Sequence, residues 1–276
     1  MDSPRRAVLV TGASTGIGAA TVELLAQRGW TAFAGVRSDA AGAAIAARHA
    51  NITPVTLDVT VEATIAAAAT IVRESGVPLH GVVNNAGIAI GGPLEFLPID
   101  ELRRQFETNV FGAIAVSQAF LPMLRQHRGR IVFVGSIAGR IPVPFIAPYS
   151  ASKFALRSLA RALRKELAPS GMFVSLIEPG AVRTPIWQKG RDSKQELLAR
   201  FSPEGLRLYA SVPDRLERQT LREERIGMPP AAVAAVIERA LTDRIPRVCY
   251  LVGMQARIGS VIEKLPAGLR DRLLPG

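Results

Sequence analysis

The stretch Ala7-Val8-Leu9-Val10-Thr11-Gly12-Ala13-Ser14-Thr15-Gly16-Ile17-Gly18 decides the fold. Its first four residues are aliphatic without a break, which predicts a strand buried on both faces of a parallel sheet. The pattern after the glycines predicts a helix over Ile17 to Arg28, stopped at Gly29. Strand, glycine-rich turn and helix make a dinucleotide-binding opening, with phosphates facing the helix N-terminus. Gly12 permits the tight turn, Gly16 lets the backbone approach a pyrophosphate, and Gly18 lets helix and strand pack closely. Ser14, Thr15 and Ile17 complete this phosphate loop. The spacing is G-x-x-x-G-x-G rather than G-x-G-x-x-G, and no Gly-Lys-Ser/Thr of an NTPase loop is present. The glycines alone would suit any turn; their seat between strand and helix makes the reading specific.

Outward from this stretch, strands and helices alternate. Strands are predicted over Thr31 to Gly35, Ile52 to Leu57, Leu79 to Val83, Arg130 to Gly135 and Met172 to Ile177. Helices are predicted over Asp39 to His49, Val61 to Glu74, Asp100 to Arg125 and Ser150 to Ala168. The alternation predicts an α/β fold, a doubly wound, mainly parallel sheet in one domain spanning residues 1–276. After the second strand, where a carboxylate would hold the ribose of NAD, stand Gly35, Arg37 and Ser38. A guanidinium grips a 2′-phosphate that a carboxylate would repel, so NADP(H) is favoured over NAD(H). The other reading of Arg37 is an exposed loop charge, and Asp39 reads as a helix cap. Asp58, with Val59 beside it, ends the third strand; it suits either an adenine amino group or the cap of the next helix. Asn84-Asn85-Ala86-Gly87 suits a tight chain beside a ribose, or a bridge between strands. Asn109 is a poor interior helix residue and predicts a local break.

Tyr149 and Lys153 fall four residues apart, on one helical face. Lowering a phenol pKa from about 10 to about 7 takes roughly 4 kcal/mol. A cation about 4 Å away at an effective dielectric of about 20 supplies roughly that much. Ser136, at a strand's C-terminal end, is placed to donate to a carbonyl oxygen beside the phenol. A Tyr and a Lys at this spacing also occur on plain solvated faces, so this pair gains weight from the rest of the chain.

Composition narrows the classes. The chain has 276 residues, 48% hydrophobic, three histidines and one cysteine, Cys249. An internal disulfide and a cysteine-rich metal site are excluded, and no metal is expected. The formal charge of +11 suits solubility and anionic ligands. The basic residues are scattered, and no zinc finger, aromatic RNP pattern or basic block points to nucleic acid. Arg5 and Arg6 precede too short an apolar run for a signal peptide, and Arg140 interrupts the best apolar stretch, so a cytoplasmic chain without a membrane span is expected.

Together these motifs resemble the short-chain dehydrogenase/reductase family, of the compact single-domain type. The resemblance covers about residues 5–252 and rests on Thr11-Gly12-x-x-x-Gly16-Ile17-Gly18, Asp58, Asn84-Asn85-Ala86-Gly87, Asn109, Ser136, Tyr149-x-x-x-Lys153, and Pro179-Gly180 with Thr184. It implies a seven-stranded sheet and hydride transfer between NADP(H) and an alcohol/carbonyl pair. Tyr149 would be the acid–base and Ser136 would orient the substrate oxygen. Lys153 would tune Tyr149 and bind the nicotinamide ribose, and Asn109 would hold a water. Asp58 would contact adenine, Asn85, Ala86 and Gly87 would lie along the cofactor, and Pro179, Gly180, Val182 and Thr184 would hold the carboxamide end.

The segment 185–228 reads as a helical substrate lid, with Trp187, Leu197, Leu198, Phe201, Leu206, Leu208 and Tyr209 among its apolar residues. Ile141, Val143, Phe145 and Ile146 predict an apolar wall beside Tyr149. A hydrophobic alcohol or ketone, retinoid-, steroid- or lipid-like, is the leading substrate class, and Phe33-Ala34-Gly35-Val36-Arg37 resembles the retinol and 17β-hydroxysteroid dehydrogenase branch. Acyl-carrier or general carbonyl reductases, a non-catalytic NADP-binding sensor, and a basic nucleic-acid or membrane adaptor are the rivals. In the extension 253–276, Met254, Ile258, Val261, Ile262 and Leu265 share a helical face that predicts packing on the body or on a second subunit of a homodimer or homotetramer. With Arg257 and Lys264 beside it, peripheral membrane contact is the alternative.

Overall fold

The computed structural model describes residues 6–186 and 201–273. Its strands are β1 (Ala7–Thr11), β2 (Thr31–Val36), β3 (Ile52–Thr56), β4 (Leu79–Asn84), β5 (Arg130–Val134), β6 (Phe173–Pro179) and β7 (Cys249–Val252). They form one sheet in the order β3-β2-β1-β4-β5-β6-β7, every pair parallel. The chain winds outward from β1 to β3 and then returns to add β4 to β7 on the other side. The switch point therefore falls between β1 and β4, the crevice where open α/β sheets take ligands.

The helices are α1 (Gly16–Gln27), α2 (Asp39–Ala46), α3 (Glu62–Glu74), α4 (Ile99–Phe106), α5 (Gly112–Gln126), α6 (Ala147–Leu167), α7 (Pro203–Leu208), α8 (Val212–Ile226), α9 (Pro230–Thr242), α10 (Met254–Ile262) and α11 (Ala267–Leu273). Both sheet faces are covered. Leu9, Phe33 and Phe133 join Phe120 and Leu124 of α5 on one face. Val8, Val10 and Val132 join Leu25 of α1 and Ile237 of α9 on the other. Side chains alternate across a strand, so a strand covered on both sides must be apolar throughout. That is why Ala7–Val10 shows no period.

Two local expectations need correction, and a third is met. The local break expected at Asn109 divides the helix expected over Asp100 to Arg125: a π-helical turn, Glu107–Phe111, separates α4 from α5. The break carries Asn109 inward, where its amide serves backbone groups rather than competing with its own helix. Asp39 does not cap α2: Ser38 is the N-cap, accepting from Ala41 N at 3.4 Å, and Asp39 opens the first turn. The apolar ridge of the C-terminal extension does not pack on the body. Met254, Ile258 and Val261 are exposed, while Ala256 and Gly259 face inward. Small residues there allow the backbone of α10 to approach closely, as a ridge of larger side chains would not.

Of the lid expected over 185–228, Trp187, Leu197 and Leu198 lie outside the described residues. Phe201 and Val212 are buried, whereas Leu206 and Leu208 are exposed. Phe96 forms the seam: its ring lies 6.3 Å from that of Phe201 and 5.8 Å from that of Tyr209. The Tyr209 hydroxyl donates to Glu95 Oε2 at 2.8 Å. Among the described residues, no helix is long and apolar enough to cross a membrane.

Candidate active site

The carboxyl ends of the strands on both sides of the switch point open onto a cleft of about 620 Å³. Gly12 and Gly16 have φ of +63° and +59°, where a side chain is strained. A Cβ on Gly12 would lie 2.8 Å from Ala86 Cα, and one on Gly18 would lie 2.3 Å from the Gly12 carbonyl oxygen. The turn and the end of β4 are laced together. Thr11 Oγ1 accepts from Asn85 N at 3.0 Å and Ala86 N at 2.9 Å, and Asn85 Nδ2 donates to the carbonyls of Thr11 and Gly12 at 2.9 and 3.1 Å. Asn84 turns the other way and donates to Ser117 Oγ at 2.8 Å.

The cleft is lined by Gly12, Ser14, Thr15, Gly16 and Ile17 from the first turn, and by Arg37, Asp58, Val59, Asn85, Ala86 and Gly87 from the next strand ends. Ser136, Tyr149, Lys153, Pro179, Gly180, Val182 and Thr184 line its other half. Three residues expected at the site stand behind it: Gly18 packs under the turn, Ser38 caps α2, and Asn109 is 1% exposed. Asp58 does not cap α3, whose N-cap is Val61. Its Oδ1 accepts from Thr60 N and Thr60 Oγ1 at 2.9 and 2.7 Å. Burial pushes this carboxyl up, but the two Thr60 donors and the nearby Arg37 charge outweigh it and hold the pKa low.

Lys153 is 5% exposed and Tyr149 is 7% exposed. Lys153 Nζ donates to the Val134 carbonyl at 2.9 Å and lies 5.7 Å from the centre of the Tyr149 ring. Burial pushes the Lys153 ammonium down to about 8, so it carries its charge at neutral pH. Ser136 Oγ accepts from Ala138 N at 3.1 Å as the cap of the short turn Ile137–Gly139, which leaves its proton to donate. Asn109 Oδ1 accepts from Ile88 N at 2.9 Å; its Nδ2 donates to Ile88 O and Ser152 Oγ, both at 3.1 Å. Ser152 Oγ in turn donates to the Tyr149 carbonyl at 2.7 Å, so the π-helical turn is tied to the helix that carries Tyr149.

The sequence reading missed several contributors. Gln105, buried and four residues before Asn109, donates to Ile88 O and accepts from Ile90 N, both at 2.8 Å. A second amide at i−4 was its only signal. Ile88, Ala89, Ile90 and Ile186 join Val143 and Ile146 as apolar lining. Ile141 and Phe145, expected on this wall, face elsewhere: Ile141 meets Gly259 of α10, and the Phe145 ring lies 6.4 Å from that of Tyr209. Gln255 of α10 also reaches the cleft. A phenol, a hydroxyl and a buried ammonium thus share an apolar pocket at one end of a groove whose other end is glycine turn and Arg37. Such a set moves a proton at an oxygen.

Residues 6–195 match the family described as short chain dehydrogenase. The chain is 36% identical over 260 residues to the 3-amino-tetrahydro-pyrrolizinone reductase of Xenorhabdus hominickii, covering 92% of this chain and 88% of that protein. It is 33% identical over 279 residues to retinol dehydrogenase 5 of Mus musculus, covering 97% and 87%. A short chain dehydrogenase from Burkholderia cenocepacia, solved in complex with NADP, superposes with a TM-score of 0.76 at 26% identity over 100% of both chains.

An unfolded lysine titrates near about 10.4, so between about 8 and that value the unfolded chain binds more protons than the native one. Native stability therefore rises with pH across that window, and the destabilisation from burying Lys153 is complete only below it. Lys153→Met removes this term. Urea unfolding at about pH 6.5 and about pH 10 should show the parent gaining roughly 2–3 kcal/mol on the variant at the higher pH. A difference independent of pH would contradict the lowered pKa.

Proposed function

The chain belongs to the short-chain dehydrogenase family, and from that premise we propose that it is an NADP(H)-dependent enzyme acting on a hydrophobic alcohol/carbonyl pair, with Tyr149 as acid–base. As in that family, its chemistry is oxidoreduction at an alcohol or carbonyl carbon. The observation that carries the finer reading is the buried ammonium of Lys153 beside Tyr149, in one cleft with Ser136 and the glycine turn.

The residues fit a dinucleotide. The first turn leaves no room for a Cβ on Gly12 or Gly18, which keeps it tight against Ala86 and the start of α1, while Ser14 and Thr15 line the position where phosphates would sit. Bound nicotinamide supplies or accepts the hydride. Tyr149 gives the proton to the carbonyl oxygen in reduction and takes it back in oxidation, while the Ser136 hydroxyl donates to that oxygen. Lys153 has three donors, one spent on Val134; its charge favours the phenolate, and its remaining donors hold the ribose. Asn109 fixes the π-helical turn and holds a water leading outward from Lys153. Arg37 takes the 2′-phosphate, and Asp58 the adenine amino group. Asn85, Ala86 and Gly87 lie along the cofactor, and Pro179, Gly180, Val182 and Thr184 hold its carboxamide end. The Burkholderia cenocepacia protein with NADP bound supports NADP(H), and a Burkholderia phymatum short chain dehydrogenase solved with NAD supports NAD(H) as the alternative.

The apolar lining and the likeness to a retinol dehydrogenase support a retinoid-, steroid- or lipid-like substrate. In this reading the chain is a single domain, closed over the substrate by the lid residues 201–228 and assembled as a homodimer or homotetramer. The exposed ridge of α10 is the seat of a second subunit in this reading, and peripheral contact with an anionic bilayer, through Arg257 and Lys264 beside it, is the alternative.

With NADPH and a panel of hydrophobic ketones and aldehydes, Tyr149→Phe should keep cofactor affinity and lose about 10²- to 10⁴-fold in kcat. Near-normal turnover would remove Tyr149 from its role. Arg37→Glu should weaken NADPH by roughly 10- to 100-fold while sparing NADH; equal effects on both would make Arg37 a plain loop charge. On the membrane alternative, the intact protein should float with anionic vesicles, and Met254→Ser with Val261→Ser should release it. Failure of the intact protein to float would end the membrane reading.

A further inference from the structure

Helix α10 presents Gln255, Gly259 and, at its C-terminal cap, Glu263 at intervals of four, on one face. Each meets a different segment next to the cleft. Gln255 Oε1 accepts from Ala181 N at 2.7 Å, beside Gly180. A Cβ on Gly259 would lie 2.5 Å from Ile137 Cδ1, so the helix sits directly on the turn that follows Ser136. Glu263 accepts from Arg140 Nη1 at 2.7 Å and from Arg157 Nη1 at 2.5 Å. Arg140 Nε also donates to Glu178 Oε2 at 2.7 Å, and Arg157 Nε lies 3.6 Å from Glu178 Oε1. Glu178 is 1% exposed, so two arginines and two glutamates balance charge in a largely dry cluster.

The cluster ties together the segments that build the pocket. Arg140 directly follows the turn Ile137–Gly139, four residues after Ser136. Arg157 stands one helical turn beyond Lys153, and Glu178 immediately precedes Pro179-Gly180. On its other side the turn presses on α6: a Cβ on Gly139 would lie 2.8 Å from the Lys153 carbonyl oxygen. The Ser136 turn is therefore clamped between α6 and α10: a methyl on Gly139 would meet backbone, and one on Gly259 would push the Ile137 side chain aside.

We propose that α10 is a positioning element, whose Gln255, Gly259 and Glu263 hold the Ser136 turn and the Gly180 loop in register with Tyr149 and Lys153. Its kinetic consequence rests on the oxidoreductase reading above. A segment that looks like an appendage beyond the last strand thereby enters the site through its second layer.

The test uses the full chain carrying Glu263→Gln, Glu263→Asp or Gly259→Ala, each assayed where circular dichroism shows it folded. Gly259→Ala adds one methyl, leaves every charge in place and keeps the idea testable should Glu263→Gln not fold. In Glu263→Gln and Gly259→Ala, NADPH binding by fluorescence should hold while kcat falls about tenfold with little change in KM. The deuterium isotope effect with NADPH labelled at the transferred position should rise. Amide hydrogen exchange across 136–141 should quicken, and Glu263→Asp should recover most of the loss. Unchanged kcat per folded molecule with unchanged exchange, even at a lower melting temperature, would leave α10 a purely structural helix and overturn the proposal. Exchange needs no turnover. Faster exchange in the variants of a parent that reduces no carbonyl would keep the clamp and remove the oxidoreductase reading instead.

Discussion

A lysine ammonium kept out of water, and kept charged, organises the cleft. Burial alone drives Lys153 toward neutrality, and its pKa of about 8 marks how far that goes. The surroundings hold the side chain where the charge is of use. One proton goes to the Val134 carbonyl at the end of β5, and the phenol of Tyr149 shares the same helical face. An ammonium in a low-dielectric pocket acts on its neighbour far more strongly than the same group in water.

Holding that geometry falls to short polar side chains that bond to main chain. The π-helical turn exists so that Asn109 can reach Ile88 and Ser152, and Ser152 passes the tie to the Tyr149 carbonyl. Gln105 repeats the device one turn earlier. On the nucleotide side, Thr11 and Asn85 stitch the first turn to β4 with four hydrogen bonds. These polar groups are largely buried and matched, which fixes position as well as lowering energy. Glycine does the rest, at places where a methyl would meet backbone atoms.

The inner strands were legible because each is covered on both faces and is largely apolar along its length, whereas the edge strand β3 exposes Thr53, Pro54 and Thr56. The first turn was legible because its glycines stand between a strand and a helix. Tyr149 and Lys153 were legible as a pair because four residues make one turn of a helix. Gln105 and Gln255 were not, since a lone amide carries no period and acts only on whatever the fold brings opposite it. That the ridge Met254, Ile258 and Val261 turns away from the body was not legible, for a related reason. An apolar face says that a helix has a greasy side, but Ala256 and Gly259 decide which side can come closest to the body.

By itself the sequence determined the doubly wound sheet, the nucleotide-shaped turn and the spacing of phenol and amine, because these rest on local periodicity and on residues near one another in the chain. Only the tertiary structure decided that Arg140, Arg157, Glu178 and Glu263 meet, across as many as 123 residues of separation. Isolated charges along a chain look like solvated surface. They become a clamp only when a folded body removes the water between them and leaves each as the other's partner.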